Sequence, residues 1–267
     1  MTPFIDRSLS VMLDDEPFSF SGRMRLRGED ELSLFPALFT LELWNLPEEY
    51  FLRFFRAQRI SVSHGDACLV SGTISDVFRH PAQEGILTTV AISLGLDLWE
   101  SVVSLSVPAG TLLSDAVRQI LSASGTGIPL LSFPVDSGDG SFCLPRAQSF
   151  FGRAAKSVTS ALSAASARPM LTPSGLMVVP SGGLSEAVRI SETDLTDTVA
   201  FAGGSQRGTK QLAILSAAVS GWRPGQTAEV RQGNVSFRGI IVSRSIDADT
   251  ATGPWKSELL VEVSIRD

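Results

Sequence analysis

VSGTISDVFRHPAQEGILTTVAISLGLDL, running from Val70 to Leu98, decides how the rest of the chain is read. It has the pattern of a β-hairpin. Val70, Gly72 and Ile74 alternate with small polar residues in the first arm. His80 to Gly85 contains Pro81 and Gly85, which interrupt pairing and predict the turn. In the second arm Ile86, Val90, Ile92, Leu94, Leu96 and Leu98 share one parity, with Thr88 the exception. Successive strand side chains point to opposite faces, so this arm is expected to bury one face and wet the other.

Working outward, the same design returns at Phe237 to Ile265, FRGIIVSRSIDADTATGPWKSELLVEVSI. Phe237-Arg238-Gly239-Ile240-Ile241 aligns with Val70-Ser71-Gly72-Thr73-Ile74. Each copy then has a glycine-containing turn, at Gly85 and Gly253. Each closes on an alternating strand, here Trp255, Leu259, Val261, Val263 and Ile265. The chain therefore reads as one small β-module used twice, with different material between the copies.

The flanking segments complete that order. Phe18, Phe20, Met24 and Leu26 suggest early strands, and Phe39 to Trp44 is a strand that stops at Asn45-Leu46-Pro47. Glu48 to Arg56 has helical spacing, with acids leading and arginines trailing as the helix dipole favours. Arg59 to Ser63 is a strand. Val107 to Thr111 ends the first β region, and Thr111 is placed to cap a helix from Leu112 to Ser124 that Gly125 stops. A loop from Gly127 to Pro145 includes Ser137 to Ser141. A second helix, Ser149 to Ala167, places Phe151, Ala154, Ala155, Val158, Leu162 and Ala165 on one stripe and ends at Arg168-Pro169. A small hairpin turns at Pro173-Ser174-Gly175, and Ser181 to Gly183 reads as a joint. Ala213 to Val219 and the region around Ala228 and Val230 are further strands. The expected fold is β-dominated α+β. Two similar small β-barrel modules, residues 1–106 and 184–267, flank a two-helix α/β insert, residues 107–183.

Composition narrows function. With 267 residues, 43% hydrophobic and 19% charged, the chain is ordinary globular material with room for two modest domains. Its 28 acidic residues outnumber 22 basic ones, and no Lys/Arg run occurs. That argues against specific nucleic-acid binding and against an anionic membrane surface. No apolar run approaches the ~20 residues that span a bilayer, so no stable membrane insertion is expected. The first residues lack the basic-then-apolar pattern of a signal peptide. Cys68 and Cys143 have no CxxC spacing. Two buried thiols in a reducing compartment is the preferred reading, with a single disulfide left open.

Candidate chemistry thins out on inspection. Gly203 to Gly208 resembles the start of a phosphate-binding loop, but Thr209-Lys210 inverts the required Lys-then-Ser/Thr order. Asp247 and Asp249 open like a calcium loop, yet Ala251 stands where the third oxygen ligand belongs and no closing glutamate follows. His64 and His80, read as turn residues, lack a second ligand at metal spacing. Glu48-Glu49 and Asp14-Asp15 read as solvated surface. No GxSxG or HExxH occurs. No catalytic, cofactor-binding or metal residue is assigned, and no cofactor is expected. Trp44, Trp99, Trp222 and Trp255 sit at strand ends or beside turns, where tryptophan closes a core or anchors an interface. A glycan or peptide platform built from them is the alternative reading, and a hydrolase hidden in the insert is a third.

Four places resemble the phage baseplate or tail-tip hub proteins of the late-control-protein-D-like family. They are Leu41-Glu42-Leu43-Trp44-Asn45-Leu46, the x-Gly-x-Ile strand at 70–74, Val107-Pro108-Ala109-Gly110-Thr111 with its helix, and Gly221-Trp222-Arg223-Pro224-Gly225-Gln226 with Gly253-Pro254-Trp255. The resemblance implies a non-enzymatic structural subunit of a virion tail or phage-like contractile particle, assembled in the bacterial cytoplasm. It implies a homotrimer in which two barrels per subunit imitate sixfold symmetry. The implied partners are a sixfold tail tube, a threefold spike or central fibre, and a tape-measure protein. No lysozyme-like or LysM-like segment is expected within these residues.

Overall fold

The computed structural model describes residues 6–133, 142–163, 165–172, 174–180, 184, 187–202 and 211–263. The loop at Ser137 to Ser141, the joint at Ser181 to Gly183 and the glycine-rich stretch Gly203 to Lys210 lie outside the described residues. In chain order the elements are β1 (Ser10–Leu13), β2 (Glu16–Phe18), β3 (Met24–Glu31), β4 (Ala37–Trp44), α1 (Glu48–Arg56), β5 (Arg59–His64), β6 (Ala67–Ala82), β7 (Gly85–Leu94), α2 (Leu96–Glu100), β8 (Val102–Val107) and α3 (Leu113–Ser124). They continue with β9 (Leu130–Ser132), β10 (Gln148–Arg153), α4 (Ala154–Ser163), β11 (Arg168–Thr172), β12 (Gly175–Val179), β13 (Ala187–Ile190), β14 (Ala200–Ala202), β15 (Gln211–Ala217), β16 (Thr227–Gln232), β17 (Val235–Asp249) and β18 (Trp255–Val263). The chain is β-dominated.

The main sheet runs β14-β15-β18-β17-β3-β4-β7-β6-β5-β1-β2, with β16 on β17 and β13 on β16. It contains two units of identical strand order, β3-β4-β7-β6-β5-β1 and β14-β15-β18-β17-β16-β13. Among the described residues the path is open, ending at β2, β13 and β14. The aligned glycines fall in equivalent places. Gly72 faces Ile60 and Gly239 faces Ala228. A Cβ added to Gly72 would lie 2.4 Å from the Ser93 carbonyl oxygen, and one on Gly239 would lie 2.6 Å from that of Glu262. Both glycines are needed because the next strand's backbone passes too close for a side chain. Two residues further on, each long strand carries an irregularity, between Ile74 and Asp76 in β6 and between Ile241 and Ser243 in β17. A bulge bends its strand and increases local twist. Here it divides β6 and β17 into halves with different neighbours.

The core is organised by these units. The first unit's core, including Leu26, Leu41, Ile60, Leu69 and Ile92, also takes in Ile246, Ala248 and Trp255 of the second. The second has its own core of Leu215, Val230, Ile241 and Val261. A third core packs α3 and α4 against β8 and β10 and includes Leu98 and Leu34. Leu32, Met170, Val179 and Ile240 form a small joint where all three regions meet.

β7 ends at Leu94, because Gly95 at φ 80° turns the chain into α2, and Leu98 is buried in the insert core. β7 also lies between β4 and β6, and both of its faces are covered: Leu87 to Val90, Ile92 and Ser93 are buried. β6 continues through His80 and Pro81 to Ala82. Proline is tolerated there because, among the described residues, that half of β6 pairs only with β7 and leaves its other edge open. The helix expected from Ser149 begins at Ala154. Residues 148–153 instead pair with β8, and Gly152 at φ 109° marks the change. The Phe151 side chain, expected on the apolar stripe, is 85% exposed. Thr111 does not cap α3; its hydroxyl donates to the Pro108 carbonyl at 2.9 Å, and Leu112 holds the cap position. Arg168 and Pro169 begin β11 rather than ending a helix. The expected α1 matches Glu48–Arg56, with Phe54 buried.

Candidate functional site

The residues singled out for chemistry do not converge. Asp247 and Asp249 lie in β17 and are taken by arginines: Arg25 donates to Asp247 at 2.7 and 2.8 Å, Arg23 to Asp249 at 3.1 and 2.7 Å. His64 and His80 lie in strands rather than turns. His64 Nδ1 is 2.9 Å from the Ser8 carbonyl oxygen, with its ring edge-on to Trp255, whereas the exposed His80 stacks on Phe78. Among the described residues no three His, Cys, Asp or Glu side chains are placed to hold a metal ion. Glu48 pairs with Arg79, and Asp14 accepts from the Gln58 and Arg59 N–H groups. Cys68 and Cys143 are free thiols, and Cys143 is exposed rather than buried. Among the described residues no helix is long and apolar enough to cross a membrane.

The four tryptophans are dispersed as well. Trp44 lies under the Arg23 guanidinium at 4.3 Å. Trp99 packs on Phe35, 4.5 Å between rings, with Arg153 at 4.9 Å. Trp255 is in the first unit's core, and Trp222 lies against that of the second. They do not share one platform.

What the sheet does assemble is a junction. The C-terminal half of β17 pairs antiparallel with β3, from Ser243 opposite Glu31 to Asp249 opposite Arg25. Charges are matched along it. Besides the pairs from Arg23 and Arg25, Arg244 donates to both oxygens of Asp30 at 2.9 and 2.7 Å, and to the Leu69 carbonyl at 3.0 Å. The Arg244 side chain is 2% exposed and Asp30 11%. Beside it the Arg223 guanidinium donates to the Cys68 carbonyl. Burial, then the nearby Arg244 charge, push Arg223 below its ordinary value. Asp249 is buried, which by itself raises a carboxyl. The hydrogen bonds from Arg23 and the Ala251 N–H, with the charges of Arg23 and Arg25, outweigh that and hold it below its ordinary value. The bidentate geometry fixes the register as well as adding energy. A groove of about 720 Å³ crosses this junction, lined by Glu29, Glu31, Leu38, Ile214, Ser245 and Glu258 among others.

The same halves are used differently in the two units. In β17, no residue from Ser243 to Asp249 is exposed; in β6, Asp76, Phe78, His80 and Pro81 are. β3 is covered on both sides, whereas Ala200, Phe201 and Ala202 of β14 are all exposed and, among the described residues, pair only with β15. The junction charges were missed in the sequence, although Arg23, Arg25 and Arg27 alternate as strand partners would, and Asp247 and Asp249 repeat that spacing.

No protein-family model matches the sequence, and no curated protein matches it. Solved structures do match by fold. The chain is similar to a tail protein from Neisseria meningitidis (TM-score 0.66, 10% identity, 95% of each chain covered). It is similar to the 43 kDa tail protein of prophage MuSo2 from Shewanella oneidensis (TM-score 0.65, 10% identity, 96% of this chain and 97% of that one). It also resembles the E. coli c3393 protein, described as a type VI secretion system component with structural similarity to the T4 tail proteins gp27 and gp5 (TM-score 0.63, 11% identity, 95% of this chain and 76% of that one). The fold is that of phage tail proteins.

Proposed function

We propose that this chain is a structural hub subunit at the baseplate or tail tip of a tailed phage or a phage-like contractile particle, with its role in assembly and not in catalysis. Three copies form a ring of six similar β-units. Such a ring meets a sixfold tail tube on one side and a threefold spike or central fibre on the other, and leaves a passage for a tape-measure protein. Residues 1–106 and 184–267 supply the two barrel-like units and 107–183 the insert, to which α2 and β8 also contribute through its core and its sheet.

The observation that supports this most is the repeat itself: two units with the same strand order, the same glycine and the same bulge, in a fold shared with tail proteins. A homotrimer obeys closed cyclic symmetry, and a twofold internal repeat doubles its apparent order. The dispersal of the four tryptophans does not favour a single glycan platform built from them.

Native mass spectrometry of the purified chain tests the reading. A trimer is expected. A hexamer, or a chain that stays monomeric at every concentration, overturns it.

A further inference from the structure

The repeat carries a second consequence, which rests on the ring reading above. Gly72, Ile74 and Asp76 of β6 stand where Gly239, Ile241 and Ser243 stand in β17, so residues 76–82 occupy the places of 243–249. Ala91 and Leu260 are each the first residue paired beyond the bulge, and Thr40 of β4 faces Ala91 as Ile214 of β15 faces Leu260. Arg27 pairs with Thr40, and Ala200 pairs with Ile214. Ala200, Phe201 and Ala202 therefore stand where Arg27, Gly28 and Glu29 stand. Inside the chain those three residues of β3 pair with Asp247, Ile246 and Ser245. Among the described residues the counterparts of both partners are left uncovered, one on each unit.

We infer that β14 of one subunit pairs with the C-terminal half of β6 of the next, with Ala200 opposite His80, Phe201 opposite Arg79 and Ala202 opposite Phe78. The partner is a second copy of this chain, because the two open edges are different strands and complement each other. Such a contact is head-to-tail and continues round a ring when the rotation closes. Bulk is complementary. Phe78 and His80 are exposed and stacked, 5.9 Å between rings, and the alanines they would cover carry only a methyl group. The ladder is bounded at one end by both strands. The next pair would be Val199 with Pro81. The Val199 N–H already donates to Gln232 Oε1 at 2.8 Å, and Pro81 has no N–H. In a closed ring these contacts would alternate with the β3–β17 junction and protect edges that are otherwise open to wrong pairing.

Cysteine pairing tests the register. With Cys68→Ala and Cys143→Ala as background, His80→Cys with Ala200→Cys is oxidised mildly and run under denaturing, non-reducing conditions. Opposed residues in an antiparallel ladder have Cα atoms ~4.5–5.5 Å apart, within disulfide reach. A covalent trimer is expected, with neither single cysteine giving one. His80→Cys with Ala202→Cys should crosslink roughly tenfold less, because a two-residue slip moves the Cα atoms beyond ~7 Å. A second variant avoids dependence on disulfide chemistry. Phe201 stands at the place of Gly28, in the half-set of β3 residues whose backbone, as at Met24 and Thr250, faces β17. Phe201→Pro should weaken trimer formation about tenfold per lost hydrogen bond with an unchanged far-UV spectrum. A native trimer that crosslinks at another register, or ignores both sets of changes, overturns the seam and leaves the ring. A disulfide closed within one chain overturns it too. A monomer without crosslinks overturns seam and ring together.

Discussion

The two β-units are alike in strand order, glycine position and bulge, and unlike in how their edges are used. In the second unit the strand half beyond the bulge is covered by β3, and three arginine–aspartate pairs line the contact. In the first unit the equivalent half has four exposed residues and, among the described residues, no strand on the edge away from β7. Bulk has also changed sides: Gly28 faces Phe39 in one, whereas Phe201 faces Ala213 in the other. The outermost strands differ in direction, since β1 runs antiparallel to β5 and β13 parallel to β16. The shared features are those the backbone imposes, a close approach and a bend. The divergent ones are side chains that decide what each edge meets.

The largest break in this comparison should come at Arg244. Asp30→Ala leaves a buried guanidinium without its carboxylate and should cost about 3–5 kcal/mol by urea denaturation. Arg244→Met with Asp30→Leu should recover most of that loss. If Asp30→Ala changes stability by less than about 1 kcal/mol, the junction is not held as described.

Next come the paired glycines. Gly72→Ala and Gly239→Ala each push a Cβ against a neighbouring carbonyl, and each should destabilise by about 1–3 kcal/mol. Their equality matters more than their size: a cost confined to one of them would mean the units are not equivalent at that strand.

Acid should act on the second unit's junction. The Asp249 carboxyl lies below its ordinary value in the folded chain. Its contribution is therefore complete above the unfolded value near ~3.9 and is lost as pH falls through the folded one. Unfolding midpoints measured between pH 6 and pH 2, about the carboxylate range, should fall toward acid, and Asp249→Asn should flatten that fall. A slope unchanged by the substitution would remove Asp249 from the account.

The smallest effect is expected at Lys256, paired with Glu258 at 2.6 Å where both side chains are nearly half exposed. Lys256→Ala should change the thermal midpoint by less than about 0.5 kcal/mol equivalent. A larger loss would place β18's outer face against something that the single chain does not contain.

Much of the repeat was legible because it is local. The x-Gly-x-Ile strands, the turns after them and α1 with its charge order are written in neighbouring residues. What escaped depends on residues far apart. The β3–β17 junction joins positions more than two hundred apart, and its only trace is alternation of like charges on two separate strands. The start of α4 is not legible because Phe151 fits the 3.6-residue stripe of the helix that follows, while pairing with β8 is what keeps 148–153 extended. Pro81 reads as the end of a strand because the sequence does not show that β6 is open on one side there.

The central claim is that one β-unit, used twice per chain, lets three chains present six. Electron cryomicroscopy of the purified protein, reconstructed without imposed symmetry, addresses it directly. The account predicts three copies whose six β-units sit at near-equal angular spacing, superimposing through β6 and β17 at the shared bulge. Six copies in the ring, or three copies whose two units sit at unrelated radii, would contradict it.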